Sequence, residues 1–391
     1  MIMIRAIPLN EVKIGMCLAE PTFDKSGAEI YKSNFYFTSR EQIVNLLDKG
    51  VKTVKINFSL SLIDESNKKF KPLIQKIEAD PIKRFDRMKE FLPEVQELFK
   101  DTEKVVQDIM DSVRFGNALN KKSIKDQSAN IVKIVQEDPQ IAFTLLDLKN
   151  FDDYTYIHSV NVAVLSIAIA LHLRFPEDKI QSIAQGSILH DIGKAKIPLD
   201  IINKPGKLTD DELKVIQRHP IIGSQIVRKD KINDNIIEEI IHYHHENYDG
   251  SGYPSKQQGV QMSRYASIVS IADYYDALTT KRPYKEILEP SEAIKNIYAL
   301  TGTKFDPRVI HHFIRIVGVY PIGSMVELSD GRIATVISFT PDNLLKPVVK
   351  TLFNKKRPNT KTEEIIALTE SQLFIKDVYK GKSIKALDVF L

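Results

Sequence analysis

The chain has 391 residues, enough for two or three domains, with an apolar fraction of 43% and a charged fraction of 27%. Its 55 basic and 51 acidic residues leave a net charge of +4, so recognition of an anionic partner has to come from local placement of charge. No run approaches the ~18 uninterrupted apolar residues that read as a membrane span. The start, MIMIRAIPLNEVKIG, lacks the basic and apolar regions of a secretion signal. The single cysteine, Cys17, excludes an intramolecular disulfide and fits a cytoplasmic protein.

Residues 1–65 read as a small α/β domain. Thr38 and Ser39 stand at capping-box spacing before Glu41 and Gln42, EQIVNLLDKG carries a helical apolar stripe ending at Gly50, and VKTVKINF (51–58) alternates like a strand. Phe35, Tyr36 and Phe37 read as core. Residues 66–130, rich in Lys, Glu and Asp, read as an exposed helical connector with a solvated charged face.

From 131 to 320 the helical signal dominates. HSVNVAVLSIAIALHL (158–173) is apolar nearly all round and predicts a buried helix. Further helices are predicted over 177–191, 210–227, 233–247, 263–278 and 290–300. After Tyr320-Pro321, SMVELSDGRIATVISF alternates around Asp330-Gly331, a hairpin signal, so residues 321–391 are predicted to form a small β-rich appendage. The expected fold is multi-domain: a mainly α-helical bundle with a small α/β domain in front and a β appendage behind.

Within the helical region, His158, His190-Asp191, His219, His244-His245 and Asp273 stand at spacings that fit one metal cluster. Mixed nitrogen and oxygen ligands suit a two-metal hydrolytic site, and Asp191 can offer one oxygen to each of two cations. Adjacent helical residues point about 100° apart, so His244 and His245 can share a metal only at a helix end. The glycines and proline of DGSGYP supply such an end. Asp276 lies one turn from Asp273, where it could orient a ligand or Lys194. His172, His242, His311 and His312 match no ligand position.

The strings HDIGK (190–194), HHENYDGSGYP (244–254) and ADYYDALTTKRPYK (272–285) resemble the HD-GYP domain, a bacterial branch of the HD superfamily of metal-dependent phosphohydrolases that degrades cyclic di-GMP. The resemblance covers roughly residues 140–320, and the first ~130 residues resemble the domain that often precedes it. It implies an HD-type bundle in which His158, His190, Asp191 and Asp273 hold one divalent ion and Asp191, His219, His244 and His245 a second. Fe or Mn suits such a shell, with Zn left open. A hydroxide bridging the ions would open cyclic di-GMP to linear pGpG, with further hydrolysis to GMP left open. The resemblance places Lys194 beside the scissile phosphate, Tyr253 against a guanine or phosphate, and Arg282 and Lys285 on the dinucleotide.

Three-metal members of the family carry a glutamate four residues before the first histidine; here Tyr154 stands there, behind Asp152 and Asp153, so two metals are expected. Two other readings stay open: a phosphodiesterase for 3′,3′-cyclic GMP-AMP or a linear nucleotide, and a cyclic-dinucleotide sensor or scaffold with little turnover. The front domain and connector suggest regulation, a homodimer or a signalling-protein partner. No clustered basic and aromatic surface points to a nucleic-acid polymer.

Overall fold

A computed structural model of the chain describes residues 4–12, 16, 18–32, 37, 40–57, 81–144, 146, 154–204, 206–280, 288–339, 343–354, 357–361 and 363–379. The chain divides into two compact units, residues 1–73 with 170–177 and residues 74–169 with 178–391.

In the first unit, strand Ile4–Pro8 pairs antiparallel with Thr53–Asn57, Ile7 lying opposite Val54. The alternation in VKTVKINF turns Val54 and Ile56 inward, onto Leu18, Phe37 and Leu46. Helix Arg40–Asp48 supplies Leu46, and the chain reverses at Gly50, whose φ of +80° suits a residue without Cβ. Thr38, Ser39, Phe35, Tyr36 and Cys17 lie outside the described residues.

The second unit corrects the reading of an exposed connector over 81–130; the remainder of that stretch, 66–80, lies outside the described residues. Helix Pro81–Phe115 buries Phe85, Met88, Leu92, Val95, Phe99, Val106, Ile109 and Val113, a stripe at three- and four-residue spacing. Most of its charges occupy the opposite face, Arg84 being the buried exception. Arg84 reaches Asp138 through two hydrogen bonds of 2.9 and 2.8 Å, and both side chains are buried. The Arg84 guanidinium also donates to Phe339 O at 3.2 Å, which ties this helix to the end of a C-terminal strand.

The bundle continues with helices Lys121–Glu137, Tyr154–His172, Glu177–Leu189, Asn235–Tyr243, Arg264–Thr279 and Pro290–Ala299. Residues 210–227 form two helices where one was expected, Asp210–Ile216 and His219–Lys229. Pro220 has no N–H to donate and is tolerated only in a first turn, so the helix restarts there. Helix Pro307–Val317 was not anticipated; it buries Val309, Ile310, Phe313, Ile316 and Val317.

The C-terminal residues form an antiparallel six-stranded sheet. Strands Met325–Leu328 and Arg332–Ser338 make the hairpin around Asp330-Gly331, and Val326, Leu328, Ala334, Val336 and Val349 fill its core. No helix among the described residues is long and apolar enough to cross a membrane.

Candidate metal centre

Most of the candidate ligands sit at helix ends, where the backbone leaves regular geometry. His190 and Asp191 follow helix Glu177–Leu189, and Asp191 opens the short 3-10 turn Ile192–Lys196. His219 opens its helix, while His244 caps the end of Asn235–Tyr243. His158 and Asp273 stand on helix surfaces within Tyr154–His172 and Arg264–Thr279. Gly193 lets the turn carrying Asp191 rest on the His219 helix, since a Cβ there would stand 2.0 Å from His219 O. Gly252 likewise lets the DGSGYP turn fold against His245 O, which accepts from Tyr253 N at 3.2 Å.

All seven candidate ligands converge in two groups that could hold an ion: Asp191, His219, His244 and His245, and His158, His190 and Asp273. Asp191 stands between them. Its Oδ1 lies 3.2 Å from His219 Nε2 and 3.9 Å from His244 Nε2; its Oδ2 lies 3.4 Å from His190 Nε2 and 3.9 Å from His158 Nε2. Asp273 Oδ1 is 3.1 Å from His158 Nε2, and its Oδ2 is 3.9 Å from His245 Nδ1.

Four of the rings are held by the nitrogen facing away from the centre. His190 Nδ1 lies 2.7 Å from Ser187 O, His219 Nδ1 2.8 Å from Ile216 O, and His244 Nδ1 3.0 Å from Ile241 O. His158 Nδ1 lies 2.6 Å from Asp276 Oδ2. A carbonyl or carboxylate can only accept, so each Nδ1 carries the hydrogen; the Nε2 atoms of His190, His219 and His244 then turn a lone pair inward, the arrangement of metal-ligating histidines, while His158 Nε2 faces the Asp273 carboxylate. Asp276 thereby orients a ligand ring, and Asn161 Nδ2 and the Thr280 hydroxyl fix it by donating to its other oxygen at 2.7 and 2.9 Å.

The residues fit a divalent cation on observations of their own. His190 Nε2 and Asp191 Oδ1 are buried with no hydrogen-bond partner among the described residues, an arrangement that is costly unless something else satisfies them. His219 Nε2 and His244 Nε2 lie 3.2 Å apart. With both Nδ1 atoms donating, two nitrogen lone pairs face each other, a repulsion that a shared cation would relieve.

Charge in the metal-free chain follows the same geometry. Burial pushes His244 well below its ordinary pKa, and the neighbouring His245, His190 and His219 rings add to this. Burial takes His245 down to about 3. Burial opposes a charge on His158 as well, but the hydrogen bonds the ring donates to Asp273 and Asp276 outweigh it and raise that ring to about 9. Burial alone would raise Asp191; the Lys194 ammonium foremost, with the neighbouring His190 and His219 rings, holds it well below the usual carboxylate range.

Lys194 Nζ donates to Asp191 Oδ2 at 2.5 Å. The Tyr253 ring stacks on His245 with centroids 4.9 Å apart and planes at 30°. Arg282, Lys285, Asp152 and Asp153 lie outside the described residues, as does the side chain of Tyr154. His242 points elsewhere, to the hydroxyls of Ser224 and Ser255 at 2.9 and 3.4 Å. Sequence reasoning missed Asn161 and Thr280. It also missed Glu246, whose buried carboxylate accepts from Ser255 N at 2.6 Å and Gln257 N at 3.1 Å and so shapes the loop after Tyr253. The one available signal was the place of Glu246 directly after the histidine pair.

The family model for the HD domain matches residues 131–309. A KOW domain associated with the HD domain matches 325–387, and a domain of unknown function (DUF3391) matches 4–124. The cyclic di-GMP phosphodiesterase PA4108 of Pseudomonas aeruginosa is 30% identical over 370 residues, spanning 94% of this chain and 89% of its own. The 3′3′-cGAMP-specific phosphodiesterase 2 of Vibrio cholerae is 35% identical over 157 residues, 40% of this chain and 30% of its own. Among solved structures, Bd1817, a HDG"Y"P protein from Bdellovibrio bacteriovorus, aligns with a TM-score of 0.45 at 21% identity, covering 80% of this chain and 98% of that one.

Proposed function

This chain belongs to the HD-GYP branch of the HD-domain phosphohydrolases, and from that premise we propose that it hydrolyses cyclic di-GMP to linear pGpG in the cytoplasm. The observation that carries this reading is the convergence of seven ligand side chains with the Nε2 atoms of four rings turned inward. His158, His190, Asp191 and Asp273 would hold one divalent ion and Asp191, His219, His244 and His245 the other, with Fe or Mn suited to the mixed shell. When bound, such a pair supplies an activated water and polarises the phosphoryl group.

The chain's own residues do the rest. Asp191 presents one oxygen to each ligand group, which fixes the spacing between them. Lys194, now on Asp191 Oδ2, is within reach of the same centre and would stabilise charge on the phosphate or the leaving oxygen. Tyr253 offers a ring face beside His245 for a guanine. Arg282 and Lys285 would contact the dinucleotide. In this reading residues 131–320 are the catalytic domain, 1–65 and 321–391 its attachments, and 66–130 the link whose apolar face packs into the second unit.

The test is product identification with protein reconstituted in Fe(II) or Mn(II). Cyclic di-GMP should be converted to pGpG, and Asp191→Ala should lower the rate by about 10³-fold or more while metal content falls. A fully metallated wild type that forms no product would refute it. The Vibrio relative named for 3′3′-cGAMP makes that dinucleotide the second reading, since swapping one guanine for adenine leaves the phosphate chemistry unaltered. Turnover of both substrates side by side decides between them.

A further inference from the structure

Lys304 belongs to neither ligand group and lies in the turn after helix Pro290–Ala299. That turn runs alongside the DGSGYP segment: Tyr248 N donates to Lys304 O at 3.0 Å, and Asp249 N to Thr303 O at 2.8 Å. The pairing brings the Lys304 ammonium between two neighbours of candidate ligands. Its Nζ donates to Asn247 Oδ1 at 3.2 Å, two residues past His245. It also stands 5.1 Å from the centroid of the Tyr274 ring, next to Asp273.

Lys194, the candidate site cation among the described residues, is already paired with Asp191. Lys304 forms no ion pair among the described residues. An ammonium carries three N–H donors, and one amide oxygen with the Tyr274 and Phe305 ring faces leaves donors unused on a half-buried charge. Burial lowers the pKa of Lys304, while Asp273 and Asp249 are the carboxylates close enough to raise it. The two lysines therefore have different partners, Lys194 paired with Asp191 and Lys304 on Asn247, close enough to Asp273 to feel its charge.

We propose that Lys304 holds the uncleaved phosphodiester of a cyclic dinucleotide whose other phosphodiester lies at the ligand groups; this rests on the proposed function. A cyclic dinucleotide carries two anionic phosphates in one ring. Fixing one at the centre leaves the second near the rim, facing the repulsion of Asp273 and Asp249 unless a cation offsets it. An ammonium is a compact point charge, suited to a phosphate and indifferent to the edge of a base.

The test compares cyclic di-GMP with bis(p-nitrophenyl) phosphate, which has a single phosphodiester, in the metal-loaded full chain. Lys304→Met should raise KM for cyclic di-GMP by roughly tenfold or more, the worth of a charge-assisted contact, with a far smaller change for the single phosphodiester. Lys304→Arg should recover most of the loss. Equal losses on both substrates, or lost metal, would overturn the proposal and leave Lys304 a buttress of the turn. A penalty on cyclic di-GMP that disappears with 3′,3′-cyclic GMP-AMP would also overturn it, in favour of a base contact. If wild type cleaves the single phosphodiester but not cyclic di-GMP, the proposed function fails on its own. Binding affinity for cyclic di-GMP then decides: a tenfold gap between wild type and Lys304→Met supports the role, and no gap refutes it.

Discussion

The two ligand groups differ in one of their orienting contacts. In the group of Asp191, His219, His244 and His245, His219 and His244 are tied to backbone carbonyls three or four residues earlier on their own segments. In the group of His158, His190 and Asp273, His190 is tied in the same way to Ser187 O, but the His158 ring hangs on Asp276, 118 residues away, itself held by Asn161 and Thr280. A backbone tether is made by the helix end and moves with it. The His158 tether exists only after two distant helices have packed. One group should therefore be sensitive to displaced backbone, the other to a single altered side chain.

Displacing backbone should have the larger effect. Gly193→Ala would put a methyl 2.0 Å from His219 O and 2.8 Å from Gly223 N, and neither is the movable end of a side chain. The turn bearing Asp191 must lift from the His219 helix, and a misplacement of about 1 Å costs on the order of 10²-fold in rate. We expect kcat/KM on cyclic di-GMP to fall by that much, with metal lost first from the group containing His219. Wild-type turnover and metal content in the alanine variant would break the comparison from this side.

A side-chain change should act on the other group alone. Asp276→Asn keeps the shape but removes the charge that His158 Nδ1–H donates to. Losing such an outer partner weakens metal binding by about 10- to 100-fold. Metal titration of the variant should show one weakened and one unaltered site. Equal weakening of both would mean the groups are not separately supported.

The same contrast explains what could be read from the sequence. Ligands at helix ends announce themselves through neighbours: His190 stands beside Asp191, His244 and His245 precede a run of glycines, and His219 precedes Pro220. Pro220 also marks the break between two helices, a signal that the apolar periodicity of 210–227 concealed. Charge density concealed the buried stripe from Phe85 to Val113, because composition averages over both faces of a helix. The helix Pro307–Val317 had an opening Asp306-Pro307 and a periodic apolar face, both legible yet passed over. Asn161 and Lys304 had no such signal: Asn161 owes its place to Asp276, 115 residues away, and Lys304 to a loop laid against another loop, which no local pattern encodes. Thr280 stands one turn after Asp276, a local spacing that was legible but unused.

A further effect is expected on pH dependence, and it separates the groups without a mutation. A histidine must lose the proton on its coordinating nitrogen before it can bind a metal. His158, held up to about 9 in the metal-free chain by Asp273 and Asp276, keeps that proton through neutral pH. Its raised pKa means the protonated form is favoured below about 9 and lost as pH rises through that value. Metal affinity at this group should thus climb by about tenfold per pH unit between ~7 and ~9, then level off. His245, taken down to about 3 by burial, and His244, also well below its ordinary value, are already neutral there and contribute no such slope. Chelator competition across that range should resolve one pH-dependent and one nearly flat affinity. Asp276→Asn removes one of the two carboxylates that raise His158, so it should carry the rising limb to lower pH even as it weakens the site. If the flat limb belonged to the group of His158, the tether from Asp276 would not set the charge of that ring, and the distinction drawn between the two groups would fail.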